Sequence, residues 1–62
     1  MLNGLIEYDG EKVWYLNGEL HREDGPAIEM LDGIKEWWLY GEEINCKDNE
    51  EFLRIVKLKA FL

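Results

Sequence analysis

Asp9-Gly10-Glu11-Lys12-Val13-Trp14-Tyr15-Leu16-Asn17-Gly18-Glu19 returns 23 residues later as Asp32-Gly33-Ile34-Lys35-Glu36-Trp37-Trp38-Leu39-Tyr40-Gly41-Glu42. Seven of the eleven positions are identical: Asp, Gly, Lys, Trp, Leu, Gly and Glu. A repeat at this period is one supersecondary unit used twice. The preceding residues agree more loosely. Ile6-Glu7-Tyr8-Asp9-Gly10 is echoed by Ile28-Glu29-Met30-Leu31-Asp32-Gly33, which has one extra residue.

Each unit reads as strand, turn, strand, turn. Asp9-Gly10, Asp32-Gly33 and Asn17-Gly18 are hairpin signals, because glycine takes a positive φ without a Cβ penalty. Gly41 holds the matching place in the second unit, and Asp24-Gly25-Pro26 marks the longer turn between units. The strands are expected over 5–8, 12–16, 19–21, 27–30, 35–40 and 42–44, an antiparallel meander. Side chains alternate along a strand. Trp14 and Leu16 therefore share one face, as do Trp37 and Leu39, and these four are expected to fill equivalent core positions. Val13, Tyr15, Glu36 and Trp38 face the other way.

The tail follows a different period. Asp48-Asn49-Glu50-Glu51 offers an N-cap acid with a glutamate three residues on, a capping-box start. Acids lie at the positive end of the expected helix, and Arg54, Lys57 and Lys59 toward its negative end. On a helical wheel Phe52, Leu53, Ile55, Val56 and Ala60 cluster, flanked by Leu58 and Leu62. Phe61 points away from that cluster, toward Arg54 and Lys57. A helix this short is marginal alone and must dock. The expected fold is mainly β with one helix (α+β). A single domain over 1–62 carries the duplicated hairpin repeat at 4–44 and a C-terminal helix at 48–62.

Sixty-two residues leave little core to work with. Cys46 is the only cysteine, so no disulfide can staple the chain, and a lone thiol fits a reducing, cytoplasmic setting. His21 and Cys46, the only soft ligands, are far apart, so no metal site is expected. Stability must come from the aromatics, three Trp, three Tyr and two Phe, or from self-association. Residues 1–6 have no basic start or long apolar run, so no export signal or membrane span is expected.

The formal net charge is −7. It is uneven, with eleven acids against three bases up to Asn45, and three acids against four bases beyond. An acidic body repels phosphate backbones and anionic lipid, which excludes direct nucleic-acid and membrane binding from the expected functions. A solubilising surface and one that attracts a basic partner are both consistent with it.

Trp14-Tyr15-Leu16-Asn17-Gly18-Glu19-Leu20-His21-Arg22-Glu23-Asp24-Gly25-Pro26-Ala27 resembles the WYLNGxxHRxDGPA repeat common in phage and bacterial proteins, itself similar to MORN repeats. The resemblance covers residues 4–44. Its second copy departs, with Tyr40 in place of Asn before Gly41, and Ile44-Asn45-Cys46 in place of the His-Arg stretch. That copy reads as a terminal cap, and the helix has no counterpart in the repeat. The resemblance implies a twisted β-meander used for binding or assembly and no reaction. By analogy with small acidic phage proteins, it implies an inhibitor of a host enzyme, acting in the host cytoplasm if phage-encoded.

Chemistry finds few candidates. The chain has no Ser or Thr. His21 beside Glu23 and Asp24 could pair as base and orienter, but no nucleophile accompanies them. The pairs Glu23-Asp24, Glu42-Glu43 and Glu50-Glu51 lack EF-hand spacing, and acids near Cys46 do not activate a thiol. No catalytic, cofactor or metal residue is therefore assigned. Tyr15, Trp38, Tyr40 and Phe61 are the expected protein-binding residues, as an aromatic patch that one helix cannot cover. The expected function is a non-enzymatic protein-binding module that blocks a host defence or nucleic-acid-processing enzyme. The rival readings are a structural MORN-like homo-oligomer, an oligomer that sequesters a nucleotide, and a nucleic-acid mimic. A homodimer with the helix in its interface is also expected.

Overall fold

The turns organise the sheet, and three of them share one backbone conformation. Asp9 and Gly10 have φ of 51° and 81°, Asn17 and Gly18 50° and 81°, and Tyr40 and Gly41 50° and 79°. Paired positive φ values are the mark of the two-residue turn whose twist matches the flanking strands. Asp and Asn tolerate that first position, whereas Tyr40 is strained there. The fourth turn differs because of the extra residue, Leu31. Here the Gly33 N–H donates to the Met30 carbonyl, the Met30 N–H donates to the Ile34 carbonyl, and Gly33 alone has positive φ, 92°. This is a three-residue loop closed by a glycine bulge.

The computed structural model describes residues 1–60. The elements are β1 (Gly4–Tyr8), β2 (Glu11–Leu16), β3 (Glu19–Leu20), β4 (Ile28–Glu29), β5 (Lys35–Leu39), β6 (Glu42–Ile44) and α1 (Asn49–Lys59). The strands form one six-stranded antiparallel sheet in the order β1-β2-β4-β5-β6. The departure from a simple meander is at β3, which pairs with β2 rather than leading to β4. β3 and β4 share one edge of β2 end to end: the His21 N–H donates to the Trp14 carbonyl and the Trp14 N–H to the Ala27 carbonyl. The Arg22 N–H still donates to the Trp38 carbonyl of β5, and residues 23–26 loop out before β4.

The repeat is a repeat of pairings. Tyr15↔Leu20 and Leu16↔Glu19 in the first unit become Trp38↔Glu43 and Leu39↔Glu42 in the second. The seam between the units also has a counterpart. The Gly41 N–H donates to the Leu20 carbonyl, and the Gly18 N–H donates to the Leu2 carbonyl. Leu2 thus takes the place on the first unit that β3 takes on the second.

Among the described residues the main core lies under the second unit, with Ala27 also fully buried beside Trp14. Trp37, Leu39 and Phe52 are buried together, with Ile44, Cys46 and Val56 packed against them. α1 is held by its cap, where Asp48 Oδ1 accepts from the Glu51 N–H at 2.9 Å, and by the Trp37 indole N–H, which donates to Asn49 Oδ1 at 3.0 Å. The expectation that Trp14 and Leu16 are equivalent core residues needs correcting, since both are only half-buried. Neither belongs to the described cluster around Phe52; instead the Arg22 guanidinium lies over the Trp14 ring, 3.8 Å from its centroid. The helical stripe is also narrower than its wheel suggests. Phe52 is fully buried and Ile55 and Val56 half-buried, but Leu53 and Leu58 remain 43% and 67% exposed and Ala60 is exposed. Among the described residues no helix is long and apolar enough to cross a membrane.

Trp37→Ala should cost about 3–5 kcal/mol, as truncation of a buried aromatic does, and leave the chain largely unfolded. Trp14→Ala should cost visibly less, because Trp14 is half-exposed. Chemical denaturation of both variants checks this, and equal losses would contradict the one-sided core. Gly18→Val should lower the melting temperature, because a β-branched residue resists φ near 81°.

Candidate binding surface

Strand register assigns every sheet side chain to a face, since directly opposed residues project together. The α1 side holds Trp14, Leu16, Trp37, Leu39 and Ile44. Crossing it from β1 to β5, Glu7 opposes Lys12, Lys12 opposes Glu29, and Glu29 opposes Lys35. Both strand lysines therefore lie on this side, each between or beside glutamates in a ladder of alternating charge.

The opposite face has no such balance. Ile6 opposes Val13, Val13 opposes Ile28, and Ile28 opposes Glu36. Alongside this row, Tyr15 opposes Leu20 and Trp38 opposes Glu43, while Tyr8 opposes Glu11. The strand residues of this face are apolar or acidic; none is a lysine or arginine. Val13, Tyr15, Leu20, Ile28 and Trp38 are half-buried and Ile6 is 40% exposed. The Trp38 indole N–H donates to Glu36 Oε1 at 3.1 Å, which fixes the ring on this surface and satisfies its polar atom. Among the described residues no helix or loop covers the strip.

The structure thus brings Tyr15 and Trp38 onto one face and separates Tyr40 from them, correcting the expected single aromatic patch. Tyr40 is 64% exposed at the β5–β6 turn and stacks on His21, with ring centroids 4.3 Å apart. The reason is its place in the turn, which ends the strand alternation and swings the ring to the helix side. Phe61 lies outside the described residues. The aliphatic members of the strip, Ile6, Val13, Leu20 and Ile28, are not among the binding residues expected from sequence. The signal that finds them is register, which joins residues from four strands into one surface.

The His-Arg segment is structural in its geometry. His21 is buried, its Nδ1 accepts from the Tyr40 N–H at 3.0 Å, and its Nε2 lies 3.2 Å from Glu23 Oε2. With Nδ1 as acceptor, the proton belongs on Nε2, donating to Glu23. This contact holds the strained Tyr40 turn. Arg22 donates through Nε to Asp24 Oδ1 at 2.8 Å, and through Nη1 to the Pro26 carbonyl at 3.1 Å and to Glu29 Oε2 at 3.4 Å. The hydrogen bond from Arg22 holds the Asp24 carboxyl below its ordinary value. Stability linked to that depression is present above the ordinary carboxylate range and fades as pH falls through the lowered value.

Cys46 is partly buried beside α1. Burial first, then the charges of Glu51 and Asp48, push its thiol up, the opposite of an activated nucleophile. Among the described residues no group of three or more His, Cys, Asp or Glu is placed to hold a metal ion. An open cavity of about 450 Å³ lies between the β5–β6 hairpin and α1, lined by Tyr40, Val56, Glu23, Glu42 and Lys59 among others. Two carboxylates against one ammonium make it a poor receptor for a phosphate group.

Compared with known protein families, curated proteins and solved structures, the chain matches none.

Arg22→Lys should lower stability by about 1–2 kcal/mol despite keeping the charge, because an ammonium replaces neither the planar stacking on Trp14 nor the forked hydrogen bonds. Denaturant unfolding of the two proteins measures it. Cys46 should react with a maleimide more slowly at pH 7 than a free-thiol peptide; a faster reaction would contradict its placement.

Proposed function

We propose that this chain is a non-enzymatic protein-binding module and that the face opposite α1 is its binding surface. One observation carries the reading: a half-buried apolar strip, centred on Tyr15 and Trp38, extends across the sheet with no helix or loop over it among the described residues. A sheet needs cover on its apolar face, and uncovered apolar patches with aromatic anchors are the usual seat of protein association. The resemblance to phage and bacterial WYLNGxxHRxDGPA repeats supports a finer version, in which the bound protein is a host enzyme that the module blocks. The nucleotide-sequestering alternative is disfavoured by the carboxylates around the cavity.

The test is capture. Tagged protein incubated with bacterial lysate should retain a stoichiometric protein. A Tyr15→Ser/Trp38→Ser variant that keeps its β-sheet circular dichroism should lose it, while Leu53→Ser, on the other side, should not. Capture that is absent, or indifferent to Tyr15 and Trp38, would overturn the proposal.

A homodimer joined through α1 is a second reading, favoured by the exposed Leu53 and Leu58 on that helix. It predicts a sedimenting dimer at tens of micromolar that Leu58→Lys dissociates. A monomer at that concentration removes it.

A further inference from the structure

The charge distribution of the uncovered face says more than that it binds. We infer that the segment it receives is a cationic amphipathic helix, which presents apolar residues to the strip and Lys or Arg to its acidic margin. This inference rests on the reading of that face as the binding surface and adds the chemistry of its occupant.

Charge is segregated between the two faces of the sheet. Lys12 and Lys35 are the only lysines in the strands, and register puts both on the α1 side, interleaved with Glu7 and Glu29. The opposite face keeps Glu11, Glu36 and Glu43 with no strand cation among them. Arg22 is no exception, because it lies against Trp14 on the α1 side. An occupant that buries the strip therefore brings its own margin close to Glu11, Glu36 and Glu43, with Lys35 at the β5 edge as the nearest strand cation. A basic margin gains from this and an acidic one is repelled. A second copy stacking face to face would set three carboxylates against three, so a like copy is a poor fit. A phosphate backbone is repelled for the same reason.

The spacing of the apolar row also matches a helix. Ile6, Val13 and Ile28 stand on three neighbouring strands, and Glu36 stands on the fourth. At ~4.8 Å per strand the three apolar positions span ~10 Å. Residues i and i+7 of a helix are also ~10 Å apart, with i+3 or i+4 between them. A helix crossing the strands thus meets one apolar residue per strand, and a basic residue three or four positions further on reaches Glu36. Trp38 and Tyr15, in the neighbouring row, would flank its second apolar line.

A displayed library of 16-residue helices tests this on the intact, immobilised protein. All members share apolar positions i, i+3, i+4 and i+7 and differ in a polar face that is basic, mixed or acidic; a further set is extended, with alternating apolar residues. The basic helices should be enriched at least tenfold over the acidic ones. A selected basic peptide should bind about tenfold more weakly to the Glu36→Gln/Glu43→Gln variant, whose introduced amide carbonyl at the first position still accepts from the Trp38 indole. It should also lose affinity between 50 mM and 500 mM salt. Circular dichroism of the double variant verifies its fold. Equal enrichment of acidic or extended peptides, no enrichment of any helix, or sedimentation showing a second copy on this face would overturn the inference. If none of the peptides is enriched while lysate capture still depends on Tyr15 and Trp38, the inference fails and the binding surface stands.

Discussion

The docking of α1 on Trp37 is the interaction on which the rest depends. Phe52 packs against that ring, and Asn49 takes its indole N–H. Without this contact an 11-residue helix has no stability of its own, and the buried cluster of Trp37, Leu39 and Phe52 does not exist. Among the described residues there is one such helix for a sheet with two faces. Once α1 has covered the second unit on one side, the remaining apolar surface must be covered by something smaller or left open. Arg22 does the first, closing over Trp14. The face carrying Tyr15 and Trp38 is left open.

Both outcomes follow from a repeat that is used twice and then modified. The Trp-x-Leu pattern sends Trp14 and Trp37 to the same face, but the sequence after each unit decides what meets them. After the first comes His21-Arg22, and the imidazole and guanidinium tie the strand ends to the following loop through Tyr40, Glu23, Asp24, Pro26 and Glu29. After the second comes Ile44-Asn45-Cys46, whose Ile44 and Cys46 pack against the core while Asn45 stays exposed, and which leads into the helix. Leu2 accepts from Gly18 the hydrogen bond that Leu20 accepts from Gly41 one unit later.

Much of this was legible in the sequence. Asp9-Gly10 and Asn17-Gly18 announced their turns because few residues accept those angles, and Asp48 announced the helix because few side chains cap one. The extra residue at Leu31 was visible, and the structure shows its effect as a change of loop type that restores the register. Faces were legible within a strand, so Tyr15 and Trp38 were placed correctly opposite Trp14 and Trp37. What one strand cannot show is its neighbour. The sharing of β2 by β3 and β4, the ladder Glu7-Lys12-Glu29-Lys35, and the apolar row Ile6-Val13-Ile28 are all properties of pairing between strands distant in sequence. Tyr40 was misplaced for a related reason, because alternation stops at a turn and the ring follows His21 instead of Trp38. The half-exposure of Trp14 was hidden by the repeat itself, which makes two tryptophans look equivalent when only Trp37 belongs to the cluster around Phe52.

Trp37 and Trp38 are neighbours in sequence and belong to opposite faces, so the pair reports directly on whether one face is covered and the other open. Oxidative labelling of the free protein, with the modified position read by fragmentation mass spectrometry, compares them within one peptide. The account predicts that Trp38 is labelled several times faster than Trp37. Equal labelling, or protection of Trp38 in the free chain, would contradict it.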